Sequence, residues 1–285
     1  MTTTFTATPV SPDAYVLGEG PVWDPLGDRL LWVDIIGRKV LAARLAPFEV
    51  TGTWSFDGMV GAVAASAEGD LIVAEQETLT RVGASGARTP LARVLAEGGG
   101  SRLNDGAVDP SGRFVVGSLS LADETGSRTE RLVRFEDGRI TVLDDDLTLS
   151  NGLAWSPDGR VLYSIDSVPG VVYCRDYPAG ARRELFRVED GLPDGMCVDR
   201  DGNLWIAIWG GARVEKRSPA GELLAVVETG AAHTTSVAFA GPDLDVLVIT
   251  SATQGLERVS ANDGRVLTAR VDTAGLPTPY WKIAL

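Results

Sequence analysis

The sequence has very little histidine and cysteine, and these shortages exclude several kinds of site. His233 is the one histidine in 285 residues, so a histidine-rich zinc site is excluded, and any Ser-His-Asp triad would have to use this residue. The two cysteines, Cys174 and Cys197, are far apart and lack metal-ligand spacing. We expect free thiols in a reducing compartment, with a single disulfide as the alternative.

Basic clusters, long apolar runs and helical periodicity are also missing. Lys and Arg number 26 against 39 Asp and Glu, and with a formal net charge of −13 we expect no nucleic acid partner. No run of 18 apolar residues occurs, so no membrane span is predicted. The N-terminus lacks a basic segment followed by an apolar one, so we predict no signal peptide and expect a cytoplasmic protein. No protein partner is evident.

What the sequence does contain is a repeat. Each copy has a short apolar strand, a polar turn with glycine, and a second apolar strand, which is a β-hairpin pattern. The turns begin at Asp24, Ser66, Asp109, Ser156 and Asp199, with a weaker sixth copy near Ala240. Spacings of 41 to 47 residues are typical of four-stranded propeller blades. The repeat therefore predicts an all-β fold in which residues 1–285 form one six-bladed β-propeller.

The stretch "DRDGN" at 199–203 has the front of a calcium loop, but it is also the fifth copy of this turn. The same turn recurs where no calcium loop could form, and the terminal Glu of a calcium loop is missing. We therefore interpret Asp199 and Asp201 as turn residues. Asp34 and Asp166 end second strands, and we expect both to accept hydrogen bonds that stabilise their blades.

A second set of positions lies five residues before each turn, at the start of each first strand. It consists of Glu19, Gly61, Asn104, Asn151, Asp194 and Thr235. The innermost strands of a propeller line its central channel, so equivalent positions form a ring about the axis. Two carboxylates and two carboxamides converging on one point predict a metal-binding channel for a hard divalent cation. The alternative is that these side chains only satisfy backbone groups in turns.

With these residues identified, the sequence resembles the senescence marker protein/regucalcin/gluconolactonase family of sugar lactonases. The matching segments are "LGEGPVWD", "RLNDGAVDPSGR", "SNGLAWSPDG", "YSIDS", "PDGMCVDRDGNLW" and "TTSVAFAGPDL". They keep the family's order and are spread over most of the chain. The resemblance implies a six-bladed propeller with one divalent metal ion in its channel.

The resemblance also implies roles for individual residues. Glu19, Asn151 and Asp194 fall on the family's metal ligands, and Asn104 is a further candidate ligand. Arg102 and Asn104 fall on residues that contact substrate. The family's acidic residue in the loop after "GSL" is best matched by Glu124, if two residues are inserted before it.

The function predicted is the metal-dependent hydrolysis of a small sugar lactone, an aldonolactone, to the aldonic acid. Asp194 would be the catalytic base that takes a proton from the attacking water. Oxygen ligands suit Ca²⁺, Mg²⁺, Mn²⁺, Zn²⁺ or Fe²⁺, so the metal is left open. A propeller hydrolase for phosphotriesters and a non-catalytic propeller that binds a metal or a protein are the alternatives.

Overall fold

In the computed structural model, which describes residues 2–122 and 127–283, the chain is built from β-strands, and these ranges contain no helix. The strands are β1 (Thr3–Thr6), β2 (Thr8–Pro9), β3 (Gly18–Asp24), β4 (Arg29–Asp34), β5 (Lys39–Leu45), β6 (Phe48–Ser55), β7 (Val60–Ala65), β8 (Leu71–Glu75), β9 (Thr78–Val82), β10 (Arg88–Arg93), β11 (Ser101–Val108), β12 (Phe114–Ser120), β13 (Glu130–Glu136), β14 (Arg139–Leu147), β15 (Ser150–Trp155), β16 (Val161–Asp166), β17 (Val171–Asp176), β18 (Arg183–Arg187), β19 (Leu192–Val198), β20 (Leu204–Trp209), β21 (Arg213–Arg217), β22 (Leu223–Glu228), β23 (His233–Ala240), β24 (Val246–Ala252) and β25 (Leu267–Arg270). The expectation of an all-β chain is confirmed.

The first four sequence repeats each form one four-stranded antiparallel sheet. These sheets are β3 to β6, β7 to β10, β11 to β14 and β15 to β18. The first two strands of each are joined by the polar glycine turn that defines the repeat. Gly112 and Gly159, for example, adopt positive φ angles of 87° and 70°, which only glycine tolerates without strain.

The fifth and sixth repeats do not form separate sheets, and this corrects the prediction of six blades. Strands β19 to β25 belong to one nine-stranded sheet together with the N-terminal strands β1 and β2. Trp209, the last residue of β20, pairs with His233, the first residue of β23, and thereby joins the two repeats. β1 adds to β22 and β2 to β25, so the chain start lies in this sheet. The arrangement is four propeller blades and one nearly closed large sheet.

The first strands of all six repeats nevertheless pack side by side around one axis. β3 contacts β7, and the series continues through β11, β15, β19 and β23 back to β3. Apolar side chains fill the space between neighbouring sheets; Leu31 and Val33 of the first sheet, for example, share a cluster with Val63 and Val73 of the second. Burial of such side chains is the main force that holds adjacent sheets together.

Asp34 and Asp166 accept hydrogen bonds as predicted. Asp34 Oδ1 accepts from the backbone N–H of Leu17 at 3.1 Å, and Asp166 Oδ1 accepts from that of Leu149 at 3.0 Å. Each aspartate ties the end of a second strand to the chain just before the first strand of its own sheet. Each thereby fixes the start of a channel-lining strand.

The C-terminal residues 273–283 cross the end of the axis where the glycine turns lie. Arg200 donates its backbone N–H to Ala274, and the backbone N–H groups of Trp281 and Lys282 donate to Ala65 and Gly112. A cavity of about 380 Å³ lies between this segment and the first strands, lined by Leu276 to Pro279 among others. The turn end of the channel is therefore covered by the chain itself.

Two further expectations bear on the chain as a whole. Cys174 and Cys197 are both free thiols, as expected. Within residues 2–122 and 127–283, no helix is long and apolar enough to cross a membrane.

Candidate metal and active site

Four of the predicted ring residues come together at the end of the channel opposite the C-terminal segment. Glu19, Asn104, Asn151 and Asp194 lie at or near the start of β3, β11, β15 and β19, and all four side chains are buried. The other two ring positions carry no charge. Thr235 Oγ1 donates to the Gly18 carbonyl at 2.6 Å and so links β23 to β3.

A β-bulge accompanies every ring position, and sequence reasoning missed it. The pairing register of the first strand shifts between Glu19 and Val22, and equivalent shifts occur in the other five first strands. A bulge inserts an extra residue, bends the strand and turns a side chain away from its regular alternation. The bulges therefore explain how side chains on six different strands converge on the axis. A glycine follows each of Glu19, Asn151 and Asp194, and these glycines are the sequence feature that could have indicated the bulges.

Gly61 is the ring position where no side chain fits. A Cβ atom there would lie 2.5 Å from the carbonyl oxygens of both Leu103 and Asn104. The second sheet approaches the third so closely that only glycine is accommodated. Gly61 thus allows β11 to take up its position, and with it Asn104.

Hydrogen bonds connect the ring across three strands. Arg102 Nη1 donates to Asn104 Oδ1 at 2.7 Å, and Asn104 Nδ2 donates to Asn151 Oδ1 at 2.9 Å. Asn151 Nδ2 then donates to Ser167 Oγ at 3.0 Å, which donates to the Pro193 carbonyl at 2.7 Å. This series ends beside Asp194. It holds the two carboxamides with their oxygens in fixed directions.

The charged groups of the ring strongly affect one another. Burial, together with the nearby Asp105 carboxylate, raises the pKa of Glu19 to about 8. Burial and the repulsion of Glu19 and Asp105 raise the pKa of Asp194 well above its usual range. Arg102 is the neighbouring positive group, and burial lowers its pKa to about 10 although Glu19 and Asp194 favour its charge. The guanidinium therefore stays charged at neutral pH.

The residues fit a hard divalent cation. Asp194 Oδ1 is buried and has no hydrogen-bond partner among the described residues, which is costly for a carboxylate oxygen unless a cation binds it. Glu19 adds a second carboxylate, and each carboxamide oxygen keeps one lone pair beyond its hydrogen bond. Over residues 2–122 and 127–283, no three His, Cys, Asp or Glu side chains are grouped closely enough to hold a metal by themselves. A cation at this site would therefore need the carboxamide oxygens of Asn104 and Asn151 as well as the carboxylates.

Comparison with known proteins shows the family of the chain. The family model described as the SMP-30/Gluconolactonase/LRE-like region matches residues 17–253. The chain belongs to the SMP-30/gluconolactonase family. Regucalcin from Gallus gallus is 36% identical over 270 residues, which is 87% of each chain.

Solved structures of other proteins similar to this SMP-30/gluconolactonase family member share its fold. A calcium-binding protein, regucalcin, from Agrobacterium tumefaciens superposes with a TM-score of 0.93 at 25% identity, over 99% of each chain. A gluconolactonase from Xanthomonas campestris superposes with a TM-score of 0.73 at 26% identity, over 93% of this chain and 89% of that one.

Several residues of this family member lie differently from the sequence expectation, or were not singled out. Ser167, in the turn directly after β16, connects Asn151 to β19. Asp105, next to Asn104, lines the cavity on the turn side, and burial raises its pKa to about 6. Glu124 lies outside the described residues. His233 is the first residue of β23, and its ring stacks on that of Trp209 with centroids 3.9 Å apart.

The raised pKa of Glu19 gives a test of cation binding that does not need a substrate. At pH 7 a group with a pKa of about 8 is mostly protonated, and a cation bound by its carboxylate would displace the proton. We expect Ca²⁺ to release protons at pH 6.5, and its apparent affinity to increase as the pH rises through about 8 and then level off. Calorimetry in buffers of different ionisation enthalpy measures both. Binding without proton release at pH 6.5 would remove Glu19 and Asp194 from the ligand set.

Proposed function

We propose that the protein hydrolyses lactones, with aldonolactones as the first substrate class, using a divalent cation held by Glu19, Asn104, Asn151 and Asp194. The observation that carries this is the buried Asp194 oxygen, which has no hydrogen-bond partner in the described part of the chain and lies in the ring that contains Glu19 and the two carboxamides. Family membership and the similar gluconolactonase structure support lactone hydrolysis. The similar calcium-binding regucalcin supports a divalent cation.

The cation would supply Lewis acidity that polarises the ester carbonyl and stabilises the negative charge developing on its oxygen. Four oxygen donors from the chain are available to hold it. Glu19 would be a charge-neutralising ligand, and its carboxylate already accepts the Gly20 N–H at 3.0 Å. Asn104 and Asn151 contribute neutral oxygens.

Asp194 would act as the base. Its carboxylate takes one proton from a water molecule as the water oxygen bonds to the carbonyl carbon. The ring carbon–oxygen bond then breaks, and the proton passes to the departing oxygen, which gives a hydroxy acid. Asp194 is a buried carboxylate whose pKa is raised by its surroundings, so it can hold a proton, and the described part of the chain offers no Ser-His or Cys-His pair at this site. Direct attack by water is therefore preferred over a covalent intermediate.

Arg102 would bind or orient the substrate. Its guanidinium is buried beside Asn104 and remains charged, and it can hold a substrate oxygen while supporting the Asn104 amide. Arg102→Met would keep much of the apolar volume but lose this donor.

The decisive experiment measures proton release from a panel of aldonolactones before and after chelation, with single metals then restored. We expect hydrolysis to fall to the uncatalysed rate on chelation and to return with one or more of Ca²⁺, Mg²⁺, Mn²⁺, Zn²⁺ and Fe²⁺. Circular dichroism checks that the chelated protein stays folded. Full activity after chelation would contradict the proposed cation. Turnover of diisopropyl fluorophosphate without turnover of any lactone would favour the phosphotriester alternative.

A further inference from the structure

The chain has a second layer of residues two positions before the ring residues, on the side away from the glycine turns. At the strands that carry Glu19, Asp194 and Thr235, these residues are Leu17, Leu192 and His233. Residues two apart in an extended strand lie on the same face, about 7 Å from each other. The second layer therefore lies between the ring and the end of the channel opposite the C-terminal segment, which we call the mouth.

Backbone pairing joins these three residues into one continuous row. Leu192 pairs with Trp209, the last residue of β20, and Trp209 pairs with His233. His233 also pairs with Ala252, the last residue of β24, which bridges to Leu17. Residues paired in this way have their side chains on the same face. The row therefore lies on the mouth side of both carboxylates of the ring.

Trp209 and His233 contribute the polar side-chain atoms of this row, since its other members are leucine and alanine. The imidazole stacks on the indole with centroids 3.9 Å apart and planes at 15° to each other. Both side chains are half-buried. Within residues 2–122 and 127–283, neither Trp209 Nε1 nor His233 Nε2 forms a hydrogen bond, and neither atom is enclosed. Two nitrogen atoms on stacked rings are therefore available to a ligand at the mouth.

Hydrogen bonding fixes the tautomer and the position of His233. Nδ1 lies 3.0 Å from the Gln254 carbonyl oxygen, which can only accept, so Nδ1 carries the proton and Nε2 of the neutral ring is an acceptor. The Gln254 N–H donates to the Val16 carbonyl at 3.0 Å, which holds the backbone that receives the imidazole. The N–H of Ala232 donates to Asp263 Oδ1 at 2.7 Å, which holds the backbone just before it. The stacked pair thus presents an indole donor and an imidazole acceptor in fixed positions.

A donor and an acceptor close together match the hydroxyl groups of a sugar, because a hydroxyl group both donates and accepts. A lactone whose ester group lies beside Asp194 extends toward the mouth, since the C-terminal segment covers the other end of the channel. The row lies about 7 Å further along the strands. This separation is comparable with the distance from the ester carbonyl to the far hydroxyl group of a hexonolactone.

We propose that Trp209 and His233 are specificity-determining residues that bind the substrate hydroxyl groups farthest from the ester carbonyl. The enzyme then prefers polyhydroxylated lactones to lactones without hydroxyl groups. This inference rests on the proposed lactone hydrolysis and adds the residues that recognise the sugar. The contact is made away from the reacting ester, so it is equal in the ground state and the transition state. Its effect is therefore expected in KM more than in kcat.

The test compares glucono-δ-lactone with δ-valerolactone, which has the same six-membered ester ring and no hydroxyl group. His233→Phe keeps an aromatic ring against Trp209 but removes both ring nitrogens. One neutral hydrogen bond contributes about threefold to tenfold to binding, so the ratio of kcat/KM for glucono-δ-lactone to that for δ-valerolactone should fall by this factor. The fall should arise from a higher KM for glucono-δ-lactone. Trp209→Phe, which removes the indole N–H, should lower the same ratio.

Trp54→Phe is the matched control. Trp54 is also half-buried, but it lies on β6, the outermost strand of the first sheet, so its replacement should leave the ratio unchanged. Proton release is the readout, with the uncatalysed rate of each lactone subtracted. If δ-valerolactone binds without turnover, its inhibition constant replaces its kcat/KM in the comparison. Thermal melting verifies that all three variants are folded.

The outcomes separate this inference from the proposed function. An unchanged ratio in His233→Phe, with continued hydrolysis of glucono-δ-lactone, would overturn the hydroxyl-binding role and leave lactone hydrolysis intact. An equal fall of the ratio in Trp54→Phe would also overturn it, because the effect would then not be located at the mouth. No hydrolysis of any lactone by the unmodified protein, at saturating levels of each metal, would overturn both.

Discussion

Asp194→Asn is expected to yield a folded protein whose lactone hydrolysis falls by about 10²–10⁴-fold and is not restored by excess metal. The substitution keeps the size of the side chain and one oxygen, but removes a negative charge and the proton acceptor. Metal affinity should fall as well, because Glu19 would be the one carboxylate left among the four proposed ligands. Titration with each metal, followed by kcat at saturation, separates the two effects.

The fold should survive this change. Asp194 is buried among carboxylates that raise its pKa, so removing its charge relieves repulsion in the metal-free protein. Asp201→Asn is the control from the same stretch, since Asp201 lies in the turn and should affect neither metal nor turnover. Near-normal turnover at saturating metal would make Asp194 a ligand only, and the base would be sought at Glu19 or Glu124. Unchanged metal affinity in addition would remove Asp194 from the site.

The ring positions could be predicted because they depend on local sequence. A polar residue five positions before a glycine turn can be recognised in a single sequence. Because the hairpins have the same register, these residues then lie at the same level along the axis in each repeat. The repeat spacing also led to the correct expectation that Asp199 and Asp201 are turn residues, because Gly202 donates its N–H to the Asp199 carbonyl as the turn closes. Local turn chemistry and strand alternation were sufficient for these results.

The number of separate sheets could not be predicted in the same way. Whether the fifth and sixth repeats join depends on one residue pair, Trp209 and His233, which are 24 positions apart and meet only in the folded chain. The stacking of their rings supports this junction between β20 and β23. The residue pattern of neither strand predicts it. The path of the C-terminal segment over the turns is likewise a tertiary feature. Its Pro277 and Pro279 indicate an extended chain but not its location.

The bulges explain why the residues of the ring could be predicted from the sequence and their geometry could not. A regular strand places consecutive side chains on opposite faces, so the sequence predicts which residues begin a strand but not which of them face the axis. Asn104 and Asp105 illustrate this. Both are polar neighbours at the start of the third repeat, yet Asn104 bonds to the ring and Asp105 lines the cavity below it. Only the register shift between Leu103 and Gly106 distinguishes them.

The second large effect is expected at Asp199, which the structure makes a buried centre of hydrogen bonding. Its Oδ1 accepts the N–H groups of Asp201 and Asn203 at 3.0 and 2.9 Å, and its Oδ2 accepts Trp205 Nε1 at 3.0 Å. Lys216 Nζ lies 3.5 Å from the same Oδ2, and the Asp199 side chain is fully buried. One carboxylate thus bonds the turn, the buried Trp205 indole and the Lys216 ammonium group on β21.

Asp199→Ala is therefore expected to lower the free energy of unfolding by about 3–5 kcal/mol, because it leaves three buried N–H donors without their acceptor and leaves Lys216 paired with Asp272 alone. The melting temperature should fall by about 10 °C, measured by circular dichroism. Asp201→Asn, two residues away, should change stability by less than about 0.5 kcal/mol, since Asp201 is exposed and, among the described residues, its side chain accepts a hydrogen bond from Thr273 Oγ1 alone. Below its melting temperature, Asp199→Ala should still bind the cation, because the ring is at the other end of β19.

Two results would contradict these expectations. If either variant lost the cation while folded, "DRDGN" would be a metal loop after all. If Asp199→Ala melted like the unmodified protein, the carboxylate would not be the hydrogen-bonding centre that its contacts describe.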